Sequence, residues 1–371
     1  MGAGKPSPIC CVPEEQKIIG TGCNAVSIEL NLFTYAARVA LLLCTALATA
    51  QSVPKNHIPH LTPDQWREDL HALASGITRH HKNAFHFTHK AKFEAAVADL
   101  DRCIPSLQSY QITVAMMGIL AMVGDGHTRS DDLFNSFSQF PLDLYWFGGE
   151  LRVIRTTLEY KQALGGRVVA IGSTPILNAN QKVRSIIEQH ETEDWVKRFS
   201  AFYLASPEVL AYFGIINNLD QATYSIEKDG KVFHLAIDSI AYNAEPAYLD
   251  AAPWLPLYRQ HNDRVWFTYM PEANLAYLAF NCYPAADQFR QIAASLFQTL
   301  DQHHGAALAI DFRNNGGGDY MEFDSLLLDG LKSRKWLFDR NRLFGLVGKK
   351  TFSAAMMNVL QLRQQMHAIL V

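Results

Sequence analysis

The sequence has no surplus of charge. Its 33 Lys+Arg against 36 Asp+Glu leave a formal net charge of −3, so no basic field recruits nucleic acid. It shows no internal repeat and no low-complexity tract, which removes solenoids and long disordered arms. Cysteine is scarce where it matters. Of six, four (Cys10, Cys11, Cys23, Cys44) fall in the first fifty residues, leaving Cys103 and Cys282 without a disulfide framework or a CxxC pattern. These two read as unpaired core residues. His80, His81, His86 and His89 cluster, but no H-E-x-x-H occurs and carboxylates at ligand spacing are lacking, so the cluster reads as polar surface and no metal is expected. Neither G-x-x-x-x-G-K-[ST] nor G-x-G-x-x-G is present, which argues against a nucleotide; no cofactor is expected.

What is present is an ordinary globular chain. Hydrophobic residues make up 49% and charged residues 19% of 371 positions, enough for two or three domains. Residues 1–50 stand apart. From Tyr35 the chain reads YAARVALLLCTALATAQS, a short apolar core before the small-x-small site Ala48-Thr49-Ala50, the pattern of a cleaved signal peptide. The uncharged run 39–50 is shorter than the about 20 residues of a membrane span. Export to the periplasm or outside the cell is therefore expected. A retained membrane anchor is the alternative, because Arg38 is the sole positive charge nearby.

Residues 60–135 read as a helical domain. Thr62-Pro63-Asp64 is a helix start, with Trp66, Leu70, Leu73 and Ile77 on one face. Thr88 is placed to cap a second helix, and a third spans 109–123. Residues 136–260 read as β-rich. Leu142, Leu144 and Trp146 alternate before Gly148-Gly149, and a second hairpin turns at Asp229-Gly230. Within it, Gly165-Gly166 leads to a strand over 167–171 and a helix near 180–187. Residues 261–371 alternate strands with helices, which predicts a layered α/β core around a mainly parallel sheet. Its last elements are a strand over 343–347, a helix over 352–366 and a strand over 368–371.

Three stretches carry the chemistry: Val123-Gly-Asp-Gly-His-Thr128, Asp311-Phe-Arg-Asn-Asn-Gly-Gly-Gly-Asp319 and Gly345-Leu-Val-Gly-Lys-Lys-Thr-Phe-Ser-Ala-Ala-Met356. In the third, a strand enters a Gly-containing turn and Ser353 opens a helix, where unpaired N–H groups stabilise negative charge. A hydroxyl there also serves as a plain cap, so Thr351 and Ser353 are equally candidates for that duty. In the second, consecutive glycines let backbone approach a ligand closely. In the first, His127 is the one group suited to take a serine proton near neutral pH.

In this order, over residues 60–371, the three stretches resemble the tail-specific (C-terminal-processing, tricorn-core type) serine peptidases. The resemblance implies a crotonase/ClpP-like layered α/β catalytic core, with a PDZ-like peptide-end site in 163–187. It implies Ser353 as nucleophile, His127 as general base, and the N–H groups of Gly317 and Ala354 as oxyanion donors, with Gly318 the neighbouring choice. The implied activity is cleavage of polypeptides near their C-termini. In relatives the chain continues past the strand matching 368–371, and the acid orienting the histidine, or a lysine base, comes from there. The core therefore reads as C-terminally incomplete, with the third catalytic group expected beyond Val371. The alternative is a non-catalytic binding protein for an apolar ligand or peptide on the same scaffold, or an inactive fragment.

Overall fold

The computed structural model describes residues 55–129, 136–187, 192–252, 257–261, 263–339 and 341–371. The apolar segment ending at Ala48-Thr49-Ala50 lies outside them. Helix α1 (Pro63–His80) starts in a reciprocal capping box. Thr62 Oγ1 accepts from Gln65 N–H, the Gln65 side chain accepts from Thr62 N–H, and Trp66, Leu70 and Ile77 turn inward. Helix α2 (Lys90–Cys103) begins with His89 at its cap position and no capping side chain, so Thr88 does not serve as expected. Cys103 ends it as an exposed free thiol rather than a core residue, and Cys282 is buried but disulfide-bonded rather than unpaired. Helix α3 (Ser109–Ala121) is buried on nearly every side through Ile112, Val114, Met117 and Leu120, as a central helix must be.

An antiparallel sheet of seven strands follows: β1 (Leu142–Phe147), β2 (Glu150–Thr157), β3 (Arg167–Ile171), β4 (Thr174–Pro175), β5 (Gln221–Lys228), β6 (Lys231–Asp238) and β7 (Tyr248–Asp250). The main order is β1-β2-β3-β5-β6, with β4 on β3 and β7 on β2. Both expected hairpins form. The helix expected near 180–187 starts earlier, as α4 (Ile176–Val183). Helices α5 (Glu193–Tyr203) and α6 (Pro207–Tyr212) occupy a stretch that had no predicted element, although Trp195, Val196, Phe199 and Tyr203 have helical spacing. One buried cluster runs from Ile58 to Ile237, so the helices and this sheet share a core.

The second sheet has five strands, in the order β12-β11-β10-β9-β8. They are β8 (Val265–Met270), β9 (Leu275–Phe280), β10 (Ala307–Asp311), β11 (Leu343–Leu346) and β12 (Ile369–Leu370). β8 is antiparallel to β9, and the remaining pairings are parallel. Helix α7 (Ala286–Gln302), then α8 (Tyr320–Phe323), a π turn (Asp324–Leu328) and α9 (Asp329–Lys332), and finally α10 (Ala354–Met366) pack on the face carrying Leu278, Phe280, Leu308 and Ile310. Tyr277, Ala279 and Ala309 point to the opposite face, against Trp266, Leu257 and Tyr258. The period of two along β9 thus feeds two separate clusters. The molecule is a mixed α/β protein with two sheets, and all of its described residues cluster as one unit.

Candidate active site

The carboxyl ends of parallel β10 and β11 meet at one loop cluster, where open α/β sheets place their ligand crevices. Asp311 ends β10 almost wholly buried, which a lone carboxylate does not tolerate. It is satisfied by Arg313, through both the guanidinium and the backbone N–H, and by the Tyr277 hydroxyl at 2.6 Å. Burial first, and then this carboxylate, push the Tyr277 phenol well above its ordinary value; the same carboxylate raises the Arg313 guanidinium. Asn315, fully buried, donates to Phe280 O (2.9 Å) and accepts from Gly317 N–H (2.9 Å). The Asp, Arg and Asn of this motif therefore shape the loop.

The β11–α10 turn is fastened to that loop. Thr351 Oγ1 donates to Phe312 O (2.8 Å) and accepts from Gly348 N–H (3.0 Å). Phe352 N–H donates to Asn315 O (3.0 Å). Thr351 is thus engaged away from the helix, and Ser353, at the cap position of α10, makes no capping bond. Neither hydroxyl acts as the plain cap that the sequence allows. Ser353 sits at φ 53°, ψ −125°, a region that costs a side-chain-bearing residue about 1–3 kcal/mol. A strained, half-buried residue between a strand and a helix resembles the geometry of a nucleophile elbow, here without G-x-S-x-G.

Gly317 lies against it. At φ 107°, a Cβ on Gly317 would stand 2.7 Å from Ser353 Cβ. Its N–H, expected to serve an oxyanion, donates instead to Asn315 in this structure. Among the described residues, the N–H groups of Gly318 and Ala354 have no hydrogen-bond partner.

His127 arrives from the turn after α3. Gly124 takes φ 71° with the Phe87 ring packed over it; a Cβ there would approach that ring to 2.6 Å. The turn closes through Thr128 N–H to Asp125 O (3.0 Å). His127 Nε2 stands 3.0 Å from Ser353 Oγ, across 226 residues of sequence. The imidazole stacks on Phe352 at 4.6 Å, and Phe352 meets Trp195 of α5 at 4.3 Å. Phe352, one residue before the serine, also packs against the core shared by the helices and the first sheet. That contact is what sets serine and histidine side by side.

Asp125 and Trp195 have no role assigned from sequence, and His81, read there as polar surface, is instead largely covered and bonded to Asp125. Asp125 Oδ1 accepts from His127 N–H (3.0 Å) and lies 3.8 Å from His127 Nδ1. Its Oδ2 faces His81 Nε2 at 3.0 Å and accepts from Thr128 Oγ1 at 2.9 Å. Burial pushes the Asp125 carboxyl up. The hydrogen bonds from His127 N–H, His81 and Thr128, with the nearby His127 charge, outweigh burial and hold it below the usual range. Position within the His127 turn was the available signal for Asp125. For His81 and Trp195 the partners lie far away in sequence, so neither the histidine cluster nor the helical spacing pointed to the site. Among the described residues, no group of three or more His, Cys, Asp or Glu side chains is disposed to hold a metal ion.

No protein-family model matches the chain, and no curated protein matches it. Among solved structures, a photosystem II D1 C-terminal processing protease is similar over 84% of this chain and 81% of its own, at 14% identity and a TM-score of 0.36. So loose a likeness bears no weight for function, and the site has only its own geometry to speak for it.

Proposed function

We propose that this chain is a serine-type peptidase, with Ser353 as nucleophile and His127 as general base. The observation that carries the reading is the 3.0 Å approach of His127 Nε2 to the hydroxyl of a strained Ser353. Ser353 Oγ attacks the scissile carbonyl while Nε2 takes its proton. The tetrahedral oxyanion forms beside α10, where the Ala354 and Gly318 N–H groups are unengaged. Gly317 serves by having no Cβ. Collapse returns the proton from Nε2 to the leaving amine, and water then releases the acyl group by the reverse sequence.

The substrate is a polypeptide, cleaved near its C-terminus. The peptide end is held by the PDZ-like unit of β3, β4 and α4, and the catalytic core is crotonase/ClpP-like. The protein is exported, with residues 1–50 removed as a signal; a retained segment would instead tether it to a membrane. The test is fluorophosphonate labelling and peptide cleavage by the purified chain beside Ser353→Ala. Labelling at Ser353, with cleavage lost in the variant, is the expected result. Peptide binding with neither labelling nor cleavage would favour the non-catalytic scaffold instead.

A further inference from the structure

The serine–histidine pair lacks an assigned acid, although an imidazole needs one to hold its tautomer. Hydrogen-bond bookkeeping on the surrounding loop supplies it. His127 Nε2 must accept from Ser353 Oγ–H to act as base, so the neutral ring must carry its proton on Nδ1. That nitrogen faces Asp125 Oδ1 at 3.8 Å. The same oxygen accepts the His127 backbone N–H at 3.0 Å, which fixes the carboxylate relative to the residue it would serve.

The other carboxylate oxygen is held from outside the loop. Asn83 N–H donates to His81 Nδ1 at 3.1 Å, so His81 carries its proton on Nε2 and donates it to Asp125 Oδ2 at 3.0 Å. His81 is the C-cap of α1, its own N–H donating to Ile77 O. Thr128 Oγ1 also donates to Oδ2. Asp125 is thus a fixed acceptor on one oxygen, with the second directed at His127.

We propose that Asp125 is the positioning acid of His127, and that His81 holds Asp125 in place. The inference rests on the serine-hydrolase reading. When the Ser353 proton moves to Nε2, the imidazolium retains its Nδ1 proton, and Asp125 stabilises that cation while remaining ionised. The Nδ1 contact is longer than a hydrogen bond, and closure by roughly 1 Å, as substrate tightens the site, brings it to bonding length.

The experiment compares wild type, Ser353→Ala, Asp125→Asn and His81→Gln, each checked for folding by circular dichroism. Peptide kinetics are paired with ¹⁵N NMR of the His127 ring. Asp125→Asn should lower kcat by about 10²–10⁴-fold with little change in KM, and should replace a single Nδ1–H tautomer by a mixture. His81→Gln, which still donates to the carboxylate, should lose about tenfold or less. An Asp125→Asn variant with wild-type kcat would overturn the proposal. So would a wild-type His127 protonated on Nε2, an observation that needs no variant. A chain with no Ser353-dependent activity would defeat the peptidase reading instead, while the tautomer measurement would still test Asp125.

Discussion

Ser353 holds a conformation that its side chain resists. At φ 53°, ψ −125° the residue stores strain, which glycine would relieve at some cost in unfolded-state entropy. Ser353→Gly is therefore expected to be more stable than Ser353→Ala by about 1 kcal/mol, with both inactive. Urea melts of the two variants decide this, and an alanine variant as stable as the glycine one would remove the strain. Gly317→Ala should lose both activity and stability, because its Cβ would meet Ser353 Cβ at 2.7 Å. The choice of Ser353 was legible in its place between an apolar strand and a helix. Its torsions were not, since they follow from the anchoring of Thr351 and Phe352 to another strand's loop.

At the scale of elements, α5 decides whether serine and histidine meet. Trp195 is nearly buried and packs on Phe352, which in turn supports the His127 ring. Trp195→Ala is expected to cost about 3–5 kcal/mol, as large aromatic deletions do. It should also lower kcat by more than Trp195→Phe at a temperature where both are folded. Equal kcat in the two variants would mean that α5 has no part in alignment. The helix is legible in principle, since its apolar spacing is helical and Thr192 caps it, accepting from Trp195 N–H. The sheet elements fared better, because Gly-Gly and Asp-Gly turns and period-two alternation are local signals that later packing preserved.

For the molecule as a whole, Glu208 is the informative titrating group. It is almost fully buried, and burial raises its carboxyl pKa even though Asn56 and Ser138 hydrogen-bond to it. A folded pKa above the unfolded value means that the stability from this group is fully present below about pH 4.3 and is lost as pH rises through the folded pKa. Asp125, held low, acts in the opposite sense: its contribution is present above its unfolded pKa and is lost as pH falls through the folded one. Glu208→Gln should flatten the loss that sets in above about pH 4.3 and is complete once pH has passed the folded pKa. Melting temperatures from pH 4 to 8 check this, and an unchanged profile would count against a strained buried carboxylate. Export is tested separately by N-terminal sequencing of the secreted chain, which should begin at or near Gln51; an intact Met1 in a soluble cytosolic fraction would argue against it.

By itself the sequence determined the α/β order of residues 261–371, both hairpins, the capped start of α1 and the three polar stretches. Each of these depends on spacing along a few neighbouring residues, and apolar period and turn chemistry are local properties. Tertiary structure alone decided which of the glycine N–H groups is free, since Gly317 is claimed by an asparagine that is itself placed by Phe280 O. It also made His81, Asp125, His127 and Ser353 one chain of contacts. Those residues come from the end of α1, the turn after α3 and the start of α10, and only packing of Phe352 against the first core closes the distance between them. No periodicity encodes a contact across more than two hundred residues; it is set by the side chains that fill the space between.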